Sequence, residues 1–418
     1  MSTPRVVVIS RAVMPLHGVG GLERSVHDLV RHLAAKDIRV TLVTPPPGQV
    51  RRQTTDPFAS PNITIRHVPY VTFPLANRRG TTVLDRSTAY PAFGWRAGRL
   101  ALSLVQSGEA NIVHGFGASV LGYALARRSA SAPLVFNPQG LEEFGGTSSG
   151  LPSGKRIGYW PLRLAVRACG RAADAVISTD AALDETVARH LRLRPGQCRT
   201  IPNGIDLVTL GGSAGPGDGR MIRERHGIGA GETVLLSVGR LEYNKGFDVL
   251  ADALGRIAGA GAPLSRHGWR WIIAGGGPFK RDLERAIDAH GLSAHARLVG
   301  KVSDADLHAW YEAATLFVHP TRYEGSSIVT LEAMSHRKPV VATNAGGLPD
   351  KVRPGVNGWL VEPGDPVALG QAVADAVSDP VRLRGMGAES RRIVEKQFAW
   401  SVLVDEYLEL YAELLNTQ

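Results

Sequence analysis

Two cysteines in 418 residues, Cys169 and Cys198, exclude a disulfide scaffold and fit a reducing compartment. No apolar run approaches the roughly 20 residues that a spanning helix needs. The best candidate, residues 110–126, is broken by Asn111, His114 and its glycines. The N-terminus lacks the basic start, long apolar region and small-residue cleavage site of a secretory signal. It runs from Met1-Ser2-Thr3-Pro4-Arg5 directly into the strand-like Val6-Val7-Val8-Ile9. Excess polarity is absent too: hydrophobic residues are 44 % and charged residues 21 %, which excludes disorder as the main state. These absences leave a cytoplasmic α/β protein with two or three domains' worth of chain as the expectation.

What is present is positive charge, unevenly placed. The formal net charge is +10, and residues 1–200 hold 25 Lys and Arg against 12 Asp and Glu, a balance of +13. The remainder holds 23 against 26, a balance of −3. Arg78, Arg79, Arg86, Arg96 and Arg99 are interleaved with Phe73, Tyr90, Phe93 and Trp95; Lys155, Arg156, Arg163, Arg167 and Arg171 accompany Tyr159 and Trp160. Such clusters suit a solvated Arg-rich face, an anionic membrane surface at the inner side of the cell membrane, a phosphorylated acceptor, or nucleic acid.

Along the chain, short apolar runs alternate with helical spacing. Strands are predicted at 5–10, 39–44, 111–114, 133–136 and 175–178, with a glycine-rich turn at 18–21 before a helix over 22–35. A second series follows: strands at 233–237, 269–274, 297–299, 316–319 and 339–343, with helices at 247–257, 280–290, 304–314 and 327–336. Residues 213–219, rich in glycine, read as a loop or linker. Two doubly wound α/β units in tandem imply a cleft, with ligands beyond the carboxyl ends of the strands.

Chemistry concentrates in the second unit. The strand ending at His319 leads through Thr321-Arg322-Tyr323-Glu324-Gly325-Ser326-Ser327 into a helix carrying Glu332. Amides at a helix start suit a diphosphate, and a glycine permits its close approach. Glu324 and Glu332 either contact a sugar and a ribose, or cap the helix and sit on the surface. The strand ending at Gly239 is followed by Arg240 and Lys245, two cations placed to neutralise a diphosphate leaving group.

Together these segments resemble the retaining nucleotide-sugar glycosyltransferases of family 4. The resemblance rests on Glu324 and Glu332 within Tyr-Glu-Gly-Ser-Ser-Ile-Val-Thr-Leu-Glu-Ala-Met. It rests also on Arg240 and Lys245 within Gly-Arg-Leu-Glu-Tyr-Asn-Lys-Gly, on Ile201-Pro-Asn-Gly-Ile-Asp206, and on the loops Gly275-Gly276-Gly-Pro and Gly300-Lys-Val302. It implies a GT-B architecture: two Rossmann-like doubly wound domains, 1–207 and 208–400, facing a central cleft, with a C-terminal helix over 401–418 crossing back to the first. It further implies that Arg240 and Lys245 hold the diphosphate and Glu332 the ribose. Glu324, with the amides of Gly325, Ser326 and Ser327, would position donor sugar and phosphate. Gly275, Gly276 and the backbone near Val302 would meet the nucleotide. In the first domain, Gly20 and Gly21 would approach donor phosphate and acceptor. Gln139 stands where many members carry a histidine, so sugar recognition is expected there, since Gln cannot titrate. His114, Glu142, Glu143 and Asn203 are further candidate sugar or acceptor contacts. No metal and no cofactor are implied.

Asp304-Ala-Asp306 invites a metal reading, but Ser303-x-x-Asp306 is a helix-capping pattern. The C-terminal stretch 398–414 reads as an amphipathic helix whose polar face is acidic, which suits packing on the protein and not on a membrane. A nicotinamide oxidoreductase would require a third glycine that Gly18-Val-Gly20-Gly21-Leu-Glu23 lacks. An epimerase on the same fold and a non-catalytic binding protein are the remaining rivals. The expected partners are a nucleotide-sugar donor and an acceptor, either a glycan, glycolipid or lipid-linked sugar or a soluble small molecule; nucleic acid is not expected.

Overall fold

The computed structural model describes residues 3–18, 20–47, 58–72, 82–139, 141–145, 157–259, 264 and 268–417. The chain divides into two units, Met1–Asn203 with Trp400–Gln418, and Gly204–Ala399.

Unit 1 is built on a seven-stranded sheet: β1 (Arg5–Ile9), β2 (Arg39–Thr44), β3 (Ile63–His67), β4 (Ile112–Phe116), β5 (Leu134–Asn137), β6 (Ala175–Ser178) and β7 (Cys198–Thr200). The order is β3-β2-β1-β4-β5-β6-β7, all parallel. Its helices are α1 (Gly21–Ala35), α2 (Thr82–Gln106), α3 (Leu121–Leu125), α4 (Trp160–Ala172), α5 (Asp184–Leu191) and the C-terminal helix Trp400–Asn416. A parallel strand is covered on both faces, so β1 reads as an unbroken apolar run. Val6 and Val8 face α1 and the C-terminal helix, whereas Val7 and Ile9 face α2, α3 and α4. The C-terminal helix buries Trp400, Leu403, Val404, Tyr407, Leu410 and Tyr411 in the first of these layers. Each such side chain contributes about 1.5–3 kcal/mol. The exposed pairs Lys36–Asp405 (2.6 Å) and Arg199–Glu413 (3.0 Å) add at most about 1 kcal/mol each, so apolar burial fixes this helix.

Unit 2 has a six-stranded sheet of β8 (Thr233–Val238), β9 (Trp269–Ala274), β10 (Ala296–Gly300), β11 (Leu316–His319), β12 (Val340–Thr343) and β13 (Gly358–Val361). Its order is β10-β9-β8-β11-β12-β13, again parallel. Around it lie α6 (Leu207–Gly211), α7 (Pro216–Arg225), α8 (Phe247–Ile257), α9 (Lys280–Ala289), α10 (Asp304–Ala313), α11 (Ile328–Ser335), α12 (Leu348–Lys351), α13 (Pro366–Ser378) and α14 (Pro380–Gln397). In both sheets the strand order reverses once, between β1 and β4 and between β8 and β11. The loops leaving two adjacent strands there diverge and leave a crevice, which is where such sheets take ligands.

The predicted linker at 213–219 is half helix. Pro216 occupies the first turn, where its missing N–H costs nothing, and Asp218 accepts the Gly215 N–H at 2.8 Å. Gly219 lies where a Cβ would press on Glu312 and Ala313 of α10, so the glycine serves helix packing and not flexibility. Ser303 does cap α10, accepting the Asp306 N–H at 3.1 Å, and the Asp306 carboxylate pairs with Arg225 at 2.9 Å. Among the described residues no helix is long and apolar enough to cross a membrane.

Candidate functional site

At the reversal point of the second sheet, the loop after β8 and the loop after β11 are stitched together. Thr321 Oγ1 and the Arg322 N–H both donate to the Asn244 carbonyl, at 2.9 and 2.7 Å. The Arg322 guanidinium forks onto Asp248 with two 2.7 Å bonds and lies 4.1 Å over the Tyr243 ring. Gly246 has φ +66°, and a Cβ there would collide with the Pro320 carbonyl oxygen. Glycine is therefore required for the two loops to cross this closely. Gly346 (φ +54°) plays the same part on the other side, under the Glu324 carbonyl.

This crossing brings Lys245 to Glu324. Lys245 Nζ donates to Glu324 Oε2 at 2.7 Å, and His319 Nε2 reaches the same oxygen at 2.7 Å. Oε1 makes no hydrogen bond among the described residues. Burial alone would raise the Glu324 carboxyl, but the Lys245 charge and the His319 hydrogen bond outweigh it and hold the group well below the usual carboxylate range. Burial is also the largest influence on His319 and pushes it down, against the pull of Glu324. A neutral His319 that donates from Nε2 leaves Nδ1 bare, and Nδ1 is indeed buried without a partner. The site thus holds one ionised carboxylate with an oxygen to spare.

Glu324 does not cap α11. The helix begins after Ser327, whose hydroxyl bonds Thr330 Oγ1 at 2.9 Å. Gly325 and Ser326 are half-buried just before it. Glu332 is no surface residue either: it is buried, and Tyr311 donates its phenol to Oε2 at 2.9 Å. The structure separates the two cations of the sequence. Lys245 is at the carboxylate, whereas the Arg240 side chain is 74 % exposed and pairs with Glu242 at 3.1 Å. Gly275 and Gly276 lie on the loop after β9, packed on the backbone after β8, with Gly239 N donating to Ala274 O and Leu241 N to Gly276 O. Val302 is half-buried beside the core.

Two residues were not singled out from sequence. His319 is one; a histidine ending an apolar strand gives no hint that it faces a carboxylate five residues on. Lys351 is the other, a fully buried lysine whose Nζ lies 3.2 Å from Gly347 O and 3.4 Å from Ser326 Oγ. It places positive charge directly behind the start of α11.

In unit 1, Gly20 is the extended residue before α1 and Gly21 its first residue. Gln139 has φ +61° and donates from Nε2 to Asn137 Oδ1 at 2.9 Å. A side chain held in the left-handed region without glycine's freedom is a mark of a constrained site. Asn203 is tied inward, accepting from Ser25 Oγ at 3.0 Å. The side chain of Glu142 lies outside the described residues.

His114 is not a sugar contact. It sits in mid-strand, fully buried, with Nδ1 2.7 Å from the Tyr411 hydroxyl of the C-terminal helix and its ring stacked on Phe116. Burial pushes its pKa down to about 3. Between the unfolded value near 6.5 and that figure, the unfolded chain binds a proton that the folded chain refuses, so stability is lost as pH falls through this window. From pH 7 to pH 5 the loss due to this group is about 2 kcal/mol. His114→Phe is expected to remove that increment, read as a smaller pH 7-to-5 difference in denaturant unfolding than the native protein shows.

Comparison with known proteins places the chain in a family. Residues 19–209 match the profile of Glycosyltransferase Family 4, and residues 219–395 that of Glycosyl transferases group 1. The chain is 31 % identical over 301 residues to D-inositol 3-phosphate glycosyltransferase 1 of Catenulispora acidiphila, covering 70 % of this chain and 69 % of that one. It is 29 % identical over 330 residues to alpha-maltose-1-phosphate synthase of Mycolicibacterium smegmatis, covering 75 % and 82 %. Among solved structures, sucrose-phosphate synthase from Thermosynechococcus elongatus superposes with TM-score 0.75 at 22 % identity, covering all of both chains. HepE of Anabaena, solved with UDP and glucose, superposes with TM-score 0.69 at 21 % identity over 98 % and 99 %. These likenesses show the GT-B fold. The chain is a glycosyltransferase and belongs to family 4.

Proposed function

We propose that the protein transfers a hexose-type sugar, with retention of anomeric configuration, from a nucleoside diphosphate to a hydroxyl of a small phosphorylated polyol or sugar. The observation that carries the donor half is the convergence of Lys245 and His319 on Glu324 Oε2, with Oε1 left for a hydroxyl of the donor sugar. In this reading the bond from the anomeric carbon to the phosphate oxygen breaks while the acceptor oxygen bonds the same face. The acceptor's proton passes to the departing phosphate oxygen. Lys245, Arg240 and the amides before α11 stabilise the charge that develops there, and the protein otherwise orients the reactants. Arg240 swings from Glu242 to reach the diphosphate, as its exposure permits.

The acceptor half is supported by the relatives, one named for inositol 3-phosphate and another for the phosphorylated sugar it makes, maltose 1-phosphate, and by the +13 balance of residues 1–200. Those names favour a small acceptor over the glycan or glycolipid that charge alone suggested. The test is a thermal-shift screen of UDP-, GDP- and ADP-hexoses, followed by transfer assays with cyclitol and hexose phosphates. NMR of the product reads the anomer. Inversion would refute the mechanism, and transfer only to unphosphorylated acceptors would refute the acceptor class.

Glu332 is the residue assigned to the ribose hydroxyls. Glu332→Gln is expected to raise the donor KM about 10-fold or more with little change in kcat, because a ribose contact is the same in ground and transition states. Tyr311→Phe, which removes the hydroxyl that holds Glu332 and also reaches the Val329 carbonyl, gives a smaller rise. Steady-state kinetics on both variants reads the difference.

A further inference from the structure

Unit 1 carries a solvent face that neither the core nor the donor site uses. The helices α2, α3 and α4 pack on one another over the sheet face opposite α1 and the C-terminal helix. Their outward positions mix large apolar side chains with arginines and hydroxyls. On α2 the outward series is Leu84, Thr88, Ala92, Trp95, Arg99 and Ser103, at helical spacing. Beside α4 stand Ile157, Trp160 and Leu164, and α3 ends in Leu125. Trp95 is 53 % exposed, Trp160 61 %, Leu125 64 % and Ile157 76 %. Ser87 Oγ bonds the Gly158 carbonyl at 2.6 Å, which sets the beginnings of α2 and α4 side by side.

The aromatic-basic clusters of the sequence are thereby sorted. Tyr90, Phe93 and Tyr159 are core; Trp95 and Trp160 are outside. Phe73, Arg78, Arg79, Lys155 and Arg156 lie outside the described residues. Arg99, Arg128 and Arg171 are exposed on this layer and pair with no acidic side chain among the described residues. Helix α4 contains no Asp or Glu, and the one in α2, Asp85, accepts the Tyr70 hydroxyl at 3.2 Å. The neighbouring α5 brings Asp184 and Glu185 but also Arg189.

We infer that this face docks on an anionic lipid surface. Two tryptophans among aliphatic side chains match the headgroup level of a bilayer, and the unpaired arginines match its negative potential. A second copy of the chain fits poorly, since it would set the same cations against one another. A nucleic acid fits poorly as well, since the protruding groups are apolar. The inference stands independently of the donor site and its reaction.

The experiment is flotation of the full chain with phosphatidylcholine vesicles, with and without phosphatidylserine, at low and high salt. Binding is expected on the anionic vesicles at low salt, about tenfold weaker on neutral ones or at high salt, with a blue shift of tryptophan emission. The pair Trp95→Ser with Trp160→Ser, and separately Arg99→Glu with Arg171→Glu, are each expected to weaken flotation about tenfold. Neither pair should shift the thermal unfolding midpoint. Absence of flotation on anionic vesicles at low salt overturns the inference. So does equal flotation of all variants, or a dimer in solution that the same substitutions dissociate.

Discussion

Replacing Lys245 with alanine is expected to lower kcat by two to three orders of magnitude, about the cost of removing one preorganised charge from a transition state. Glu324→Ala is expected to do the same, for a different reason. In the proposed reaction Lys245 faces the departing diphosphate and Glu324 holds the sugar; the structure shows Glu324 holding Lys245 through a 2.7 Å bond. The pair is mostly buried, with side-chain exposures of 15 % and 13 %, so breaking it also destabilises. A buried pair broken on one side costs about 3–5 kcal/mol. His319 remains to bond Glu324 when Lys245 is lost, which places Lys245→Ala at or below the low end of that range, and the variant folds. Glu324→Gln keeps the shape and loses the charge. The pH dependence has a definite sign. The carboxyl of Glu324 is depressed in the folded state, so its contribution is present above the unfolded value near 4.5 and is lost as pH falls below it. Denaturant unfolding between pH 7 and pH 3 should show this increment in the native protein and not in Glu324→Gln. Near-native kcat in purified, folded Lys245→Ala or Glu324→Ala would remove these residues from the reaction.

The sequence is most informative where one residue type can do one job. Lys245, Glu324 and the helix start after Ser327 were legible through the resemblance to family 4; spacing alone left Glu324 as either a sugar contact or a helix cap. The central strands were legible for a simpler reason: β1, β5 and β6 are covered on both faces and carry apolar runs of three or more residues, and β4 departs from this only at the buried His114 and Gly115. Three edge or near-edge strands were not. In β3 Thr64, Arg66 and His67 are exposed and Ile63 and Ile65 only half-buried, β7 has only three residues, and β13 includes a glycine whose Cβ would strike the Val340 carbonyl. β3 and β7 contribute no continuous apolar stripe and β13 only the short run Trp359-Leu360-Val361, so pairing with a neighbour, invisible to local pattern, makes them strands. The same holds for side chains whose role depends on what lies opposite. Nothing in the segment around His114 says that Tyr411, nearly 300 residues later, will meet it. Nothing around Glu332 says that Tyr311 will bury and hold it. Arg240 and Lys245 look equivalent in sequence, and the tight turn through Gly246 is what sends only the second of them to Glu324.

His319→Phe is expected to leave the fold intact and lower kcat about 10- to 100-fold, with the acid limb of the pH–rate profile moved upward. The ring already stacks on Phe317, with centroids 5.9 Å apart and an interplanar angle of 14°, so phenylalanine keeps the shape and removes the one N–H that matters. Without that donor, Glu324 relies on Lys245 alone. Burial then opposes the Lys245 charge alone, so the carboxyl lies less far below its usual range and protonates at a higher pH than in the native protein. In the proposed reaction a protonated Glu324 no longer anchors Lys245 against the leaving phosphate, so the expected loss falls on kcat more than on donor KM. His319 itself contributes no limb near neutrality, because burial keeps it neutral in the working range. It is a positioning residue, and the distinction can be measured. If it acted as an acid or base, His319→Gln would be as inactive as His319→Phe. If it only donates to Oε2, the glutamine amide restores part of the rate and returns the acid limb toward its native position. A profile of His319→Phe that falls uniformly in rate with an unmoved acid limb would overturn the role assigned here.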